Sequence, residues 1–159
     1  MPFMNWFLCI LYCVAMLRNR SVPVDTVLPH LTYQNLEEAL EWLARVFGFV
    51  EHYRYGEPMA GAQLHLGNAY IMISTLRAGR ASPAITGGRT QSLTVFVEDV
   101  EGHFARSQDA GAILVEELHE TIYGELQYGV EDPEGHHWLF SRHARDVGPE
   151  EWGAKIAGP

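Results

Sequence analysis

Two stretches 64 residues apart, "TYQNLEEAL" (32–40) and "FVEDVEGHF" (96–104), superpose position by position. Tyr33 falls on Val97, Asn35 on Asp99, Leu36 on Val100 and Leu40 on Phe104. An internal repeat of this kind constrains the fold more than any other feature, because each copy must build the same small unit. Within the first copy, "DTVLPHLTY" reads as a strand rich in β-branched and aromatic residues. Asn35 then opens a helix, with Glu38 three positions on as a capping-box partner. Leu36, Leu40, Leu43 and Phe47 recur at helical spacing, and Gly48 stops the run. Three short strands follow, "FVEHYRY", "AQLHLG" and "AYIMIS", parted by Gly56, Pro58 and Gly61 and then by Gly67-Asn68.

After a polar, glycine-rich loop at 76–90 the order repeats. "QSLTVFV" is a strand, Asp99 caps a helix carrying Val100 and Phe104 that ends near Gly111, and "AILVEELHE", "LQYGVED" and "HHWLFSR" are strands. The chain therefore reads as α+β, two tandem βαβββ modules at 23–75 and 91–142 joined by the loop at 76–90, with an apolar extension at 1–22 and a tail at 143–159 that carries a short helix near Pro149. Neither four-stranded half can cover both faces of its sheet alone. Paired, two curved sheets are expected to enclose a shared cavity suited to a ligand.

Charge narrows the partners. Eleven basic against 20 acidic residues give a net charge of −9, which argues against nucleic acid and anionic membrane surfaces. At 159 residues with 47% hydrophobic content the chain can build a genuine core. Cys9 and Cys13 form no CxxC pair and have no histidine-rich neighbourhood, so they read as thiols of a reducing, cytoplasmic compartment rather than zinc ligands. The stretch from Phe3 to Leu17 has no Lys or Arg before Arg18 and falls short of a comfortable bilayer span. It admits three readings: a start set too early, with Met16 natural; a helix covering an apolar patch; or a weak membrane anchor.

The paired βαβββ units, the "FGF" at the first helix end and the "DPEGHHW" before the last strand resemble the vicinal oxygen chelate superfamily. That group holds glyoxalase I, extradiol dioxygenases, fosfomycin-resistance enzymes and bleomycin-resistance proteins. The resemblance covers residues 23–142 and looks nearest to the bleomycin-resistance-like and PhnB-like branch, although Tyr123-Gly124-Glu125-Leu126 stands where PhnB-like relatives have "WG-x-R", so that arginine is lost. Metalloenzymes of the superfamily carry four ligands on equivalent strand positions. Carried over, those positions read Leu28, Gln63, Ser92 and Leu139. Two aliphatic side chains cannot ligate, and neutral Gln and Ser replace carboxylate or imidazole poorly.

Strand parity sends residues two apart to one face. If the inherited positions face a cavity, so do His30, His65, Thr94, Phe96, His137 and Ser141. The resemblance and parity together give a ligand-binding set of His30, Gln63, His65, Ser92, Thr94, Phe96, Tyr123, His137 and Leu139, with catalytic residues unassigned. His136 belongs to the opposite face, with Trp138 and Phe140, and supports the turn. Other titratable groups read as solvated: Glu117 with His119 could form a base pair, but "EELHE" alternates like an edge strand, and Arg54 reads as exposed. Aromatics on strands and loops, among them Tyr33, Tyr53, Tyr55, Tyr128 and Trp138, offer flat walls for a cavity or a dimer cleft. The preferred expectation is a metal-free homodimer without a cofactor that binds an aromatic or cationic small molecule, as in drug or metabolite sequestration. The alternative is a metal-dependent lyase, isomerase or dioxygenase with Zn, Ni or Fe held by a shifted His30–His65–His137 site.

Overall fold

The computed structural model describes residues 21, 23 and 27–157. The apolar stretch with Cys9, Cys13 and Met16 lies outside the described residues. The first module runs β1 (His30–Tyr33), α1 (Leu36–Trp42), β2 (Val50–Tyr55), β3 (Gly61–Leu66) and β4 (Ala69–Thr75). A four-residue helix, α2 (Pro83–Thr86), interrupts the loop that the sequence leaves irregular. The second module runs β5 (Ser92–Phe96), α3 (Val100–Asp109), β6 (Ile113–Glu120), β7 (Glu125–Glu131) and β8 (His137–His143), and a 3₁₀ turn follows at Pro149–Trp152. The sheets are ordered β1-β4-β3-β2 and β5-β8-β7-β6. In each, the first strand pairs in parallel with the last and the remaining pairs are antiparallel.

The repeat is legible in the helix starts. Asn35 and Asp99, 64 positions apart, both cap, accepting from the backbone N–H of Glu38 and Gly102 respectively. The capping box is only half made. The Glu38 carboxylate turns to the Asn35 side-chain amide at 3.2 Å. The N–H groups of Gln34 and Asn35 donate instead to Glu134 of the second module, at 2.6 and 3.2 Å. Helical spacing holds from Leu36 to Phe47, but the last turn, Leu43–Phe47, widens to a π turn before Gly48 ends it at φ +81°.

One face of each sheet packs inward. Leu31, Tyr33, Ala62, Leu64, Ile71 and Ile73 of the first module and Val95, Tyr128, Val130, Trp138 and Phe140 of the second belong to one buried cluster. Phe47 is its pivot, with ring centroids 5.4 Å from Trp138 and 4.7 Å from Phe140. Full burial of each such side chain stabilises the fold by about 1.5–3 kcal/mol. Tyr33, Tyr128 and Trp138 are thus core walls rather than part of an open cleft, since even residue positions on β7 and β8 face the helices.

Polar contacts seal the module junction at two places. The helix-end carbonyl of Phe47 accepts from His103 Nε2 at 3.0 Å and Arg106 Nη2 at 3.3 Å, and Val46 O accepts from Arg106 Nε. These donors satisfy carbonyls that a helix end leaves without intrahelical partners. At the other place, the Tyr33 hydroxyl donates to Asp132 at 2.6 Å and His136 Nε2 donates to Thr32 O at 2.9 Å. His136 is buried, as its parity with Trp138 and its place at the turn imply.

Candidate functional site

The sheet faces turned away from the helices carry the residues that parity selects. On the first module, His30, Met72, Gln63 and Tyr53 stand in one register row across β1, β4, β3 and β2. On the second, Ser92 pairs with His137, Thr94 with Leu139 and Phe96 with Ser141. The predicted residues are therefore divided between two outward faces of one chain: His30, Gln63 and His65 on the first, and Ser92, Thr94, Phe96, His137 and Leu139 on the second. Tyr123 stands at the β6–β7 turn, its hydroxyl 3.5 Å from Gln127 Oε1. Leu28 precedes β1.

Each face centres on a buried, tethered glutamine. Gln63 is fully buried. His52 Nδ1 lies 2.7 Å from its Oε1, and its Nε2 donates to the Tyr53 hydroxyl at 3.3 Å and to Met72 Sδ at 3.4 Å. The Ser21 carbonyl also takes the Tyr53 hydroxyl, at 2.9 Å, so the chain ahead of β1 touches this face. On the second face, Gln127 Oε1 accepts from Ser141 Oγ at 3.0 Å, and its Nε2 donates to Glu116 Oε1 at 3.2 Å. His119 Nε2 lies 3.2 Å from the same carboxylate oxygen. Gln63 and Gln127 are 64 positions apart, the repeat offset. Sequence reading singled out Gln63 and missed Gln127; applying the offset to Gln63 finds it.

Around Gln127 the face is acidic and aromatic. A side chain at Gly129 would meet Glu116 Cβ at 2.9 Å and His137 Nε2 at 3.3 Å, so these two groups close over the buried Gly129 backbone and leave no room for a side chain there. Phe96 is exposed and lies 4.8 Å, centroid to centroid, from His143, whose Nδ1 is 2.7 Å from Glu125. His119 meets the backbone carbonyl of Glu117, at 2.9 Å, and the carboxylate of Glu116, so the Glu117–His119 base pair is replaced. The reason is that β6 is bulged between Glu116 and His119, which breaks simple alternation. Arg54 is exposed and pairs with Glu51 at 2.6 Å.

The donor set does not fit the metal of the superfamily's enzymes. Leu28 and Leu139 have no lone pair to give, and the Gln63 amide is already held at both ends. The shifted site fares no better within one chain. Among the described residues no three His, Cys, Asp or Glu side chains are grouped to hold a metal ion. His65 Nδ1 lies 3.1 Å from Gly67 O and its ring stacks on Tyr70, while His137 sits on the other module.

Two βαβββ units, each a mixed four-stranded sheet with one face packed on a helix and the other bearing tethered polar side chains, define a bimodular α+β class. The model of the Glyoxalase/Bleomycin resistance protein/Dioxygenase superfamily matches residues 24–140, and the chain belongs to that superfamily. It is similar to TioX from Micromonospora sp. ML1, with 36% identity, coverage of 75% of this chain and 98% of that one, and a TM-score of 0.63. An uncharacterized protein of Mycobacterium tuberculosis is 28% identical over 131 residues, 77% of each chain. A glyoxalase/bleomycin resistance protein/dioxygenase family enzyme from Burkholderia phytofirmans shares the fold at 21% identity, covering 73% of this chain and 96% of that one, with a TM-score of 0.59. No helix among the described residues is long and apolar enough to cross a membrane.

Proposed function

We propose that this protein binds a small molecule on its sheet faces without a metal ion, in the manner of the bleomycin-resistance-like branch, and so sequesters a drug or metabolite. The observation that carries the reading is the paired glutamines. Where an enzyme of the superfamily needs ionic ligands, this chain places a neutral amide locked by its neighbours, Gln63, and has Leu28, Ser92 and Leu139 at the other three positions. The locked amides hold their half-exposed neighbours Tyr53 and Glu116 in place, so that these groups meet a ligand at little entropic cost. The carboxylates of Glu116 and Glu125 beside Phe96 and Tyr123 favour a planar ligand with a positive group. A second copy of the chain closes each open face in this reading, making a homodimer in the cytoplasm with a pocket between the first module of one copy and the second of the other.

The test is a melting screen of tag-free protein against planar cationic and neutral aromatic compounds, run with and without chelator. Binders that raise Tm equally in both conditions, and lose the effect in Gln127→Leu, support the reading. Stabilisation that vanishes with chelator, or turnover of a hit compound that needs added metal, supports the metal-dependent lyase, isomerase or dioxygenase instead.

A further inference from the structure

The loop between the modules has a composition unlike the rest of the chain. Residues 76–91 hold Arg77, Arg80 and Arg89 and no acidic residue, in a protein of net charge −9. A short hairpin turn pairs Arg77 with Arg80, and α2 then docks on the "DPEG" turn through the Ala84 N–H to Glu134 O bond at 2.9 Å. This folds the loop back over β1. The result is a cleft of about 570 Å³ lined by His30 and Thr32 on one side and by Arg80, Arg89, Thr90 and Gln91 on the other. No carboxylate lines it.

Thr86 and His136 also line the cleft and are spent on backbone carbonyls, but four other side chains there are uncommitted. The side chains of His30, Arg80, Thr90 and Gln91 make no hydrogen bond or ion pair among the described residues. Arg89 pairs with Glu131 through Nη2, which leaves the rest of its five-donor fork. Arg77 is tied to Ser74 at 3.1 Å and adds its charge from behind. The field is felt at His30, whose proton affinity is lowered first by burial and then by Arg80 and Arg77.

We propose that this cleft is a separate site for the phosphate group of a small molecule. Guanidinium forks match the oxygens of a phosphate bidentately, and a hydroxyl and an amide supply further neutral donors. The volume lies in the range of small-ligand sites and exceeds a bare phosphate, so the group belongs to a compact phosphorylated metabolite rather than to nucleic acid, which the overall charge repels. The site adjoins the first sheet face at His30 but takes its charge from the loop, so it stands or falls independently of the sheet-face reading.

Calorimetric titration of the full chain with inorganic phosphate, ribose 5-phosphate and ribose, at constant ionic strength, tests it. Saturable binding of ribose 5-phosphate tighter than that of phosphate, with none of ribose, is the expected result; equal binding of the two phosphates assigns the site to free phosphate. Arg80→Ala should weaken binding about tenfold, the loss of one charged hydrogen bond. Arg80 is exposed and holds nothing in place, so this variant folds as the parent does. Arg54→Ala removes the same charge elsewhere and should leave binding intact. No saturable binding of either phosphate, or equal losses in the two variants, overturns the proposal.

Discussion

Single residues carry much of the module junction, and two of them make sharp predictions. His103 is neutral in the fold, its pKa lowered to about 4 chiefly by burial, with Arg106 adding to the effect and the Phe47 carbonyl opposing it. The carbonyl can only accept, so His103 Nε2 carries the proton and Nδ1 accepts from the Tyr128 hydroxyl at 2.6 Å. That hydroxyl then accepts from Ser107 Oγ at 2.8 Å, and burial pushes its own pKa up to about 12. Because the folded pKa of His103 lies below that of the unfolded chain, the unfolded state takes up the proton first on acidification. Stability is full above about pH 6.5 and falls by about 3 kcal/mol as pH drops toward 4. Urea melts from pH 7.5 to 4 should show this slope, and His103→Gln should flatten it. Asp132 is the second case. Its carboxylate accepts from Tyr33, Trp138 Nε1 and the N–H groups of Glu134 and His136. Asp132→Ala strands these buried donors and should cost about 3 kcal/mol or more in a urea melt. A loss of less than half that would mean the junction does not depend on the turn.

Elements repeat because their punctuation repeats. Asn35→Ala and Asp99→Ala should each cost about 1 kcal/mol, and the double variant about the sum, since the caps lie in different modules and share no partner. Gly48→Ala should cost at least as much as either, because a Cβ at φ +81° is strained and would also lie 3.3 Å from Arg106. Thermal melts of the four variants test both points. The caps, the stop at Gly48 and the order of helices and strands along the chain were legible because they depend on local chemistry. The π turn at Leu43–Phe47, the help of Glu134 at the first cap and the bulge in β6 were not, because each depends on a partner far away in sequence. The candidate site divides the same way. Parity placed His30, Gln63, His137 and Leu139 on the faces opposite the core. It could not say that Gln63 would be buried against His52 and Met72, that Gln127 would mirror it, or that α2 would form in a glycine-rich loop.

At the scale of the molecule, the space the modules share within one chain is filled by Phe47, Trp138 and Phe140, while the site faces look outward. Exposed Val50, Tyr55, Phe96, Ile113 and Val115 border those faces. Light scattering on the eluting protein should therefore give the mass of two chains, and a monomer at all concentrations would remove the closed pocket from the account. The "HHW" at 136–138 divides between the two faces of the second sheet. His136 fastens Thr32 across the junction, whereas His137 and Leu139 lie on the half-buried face of β8 turned away from Trp138 and Phe140. The central claim is that these faces bind without metal. Dialysis of tag-free protein against Zn, Ni and Fe(II), followed by metal quantification per chain, tests it most directly: the account predicts only substoichiometric metal, unchanged in His137→Gln, whereas one tightly held ion per chain that His137→Gln abolishes would contradict it.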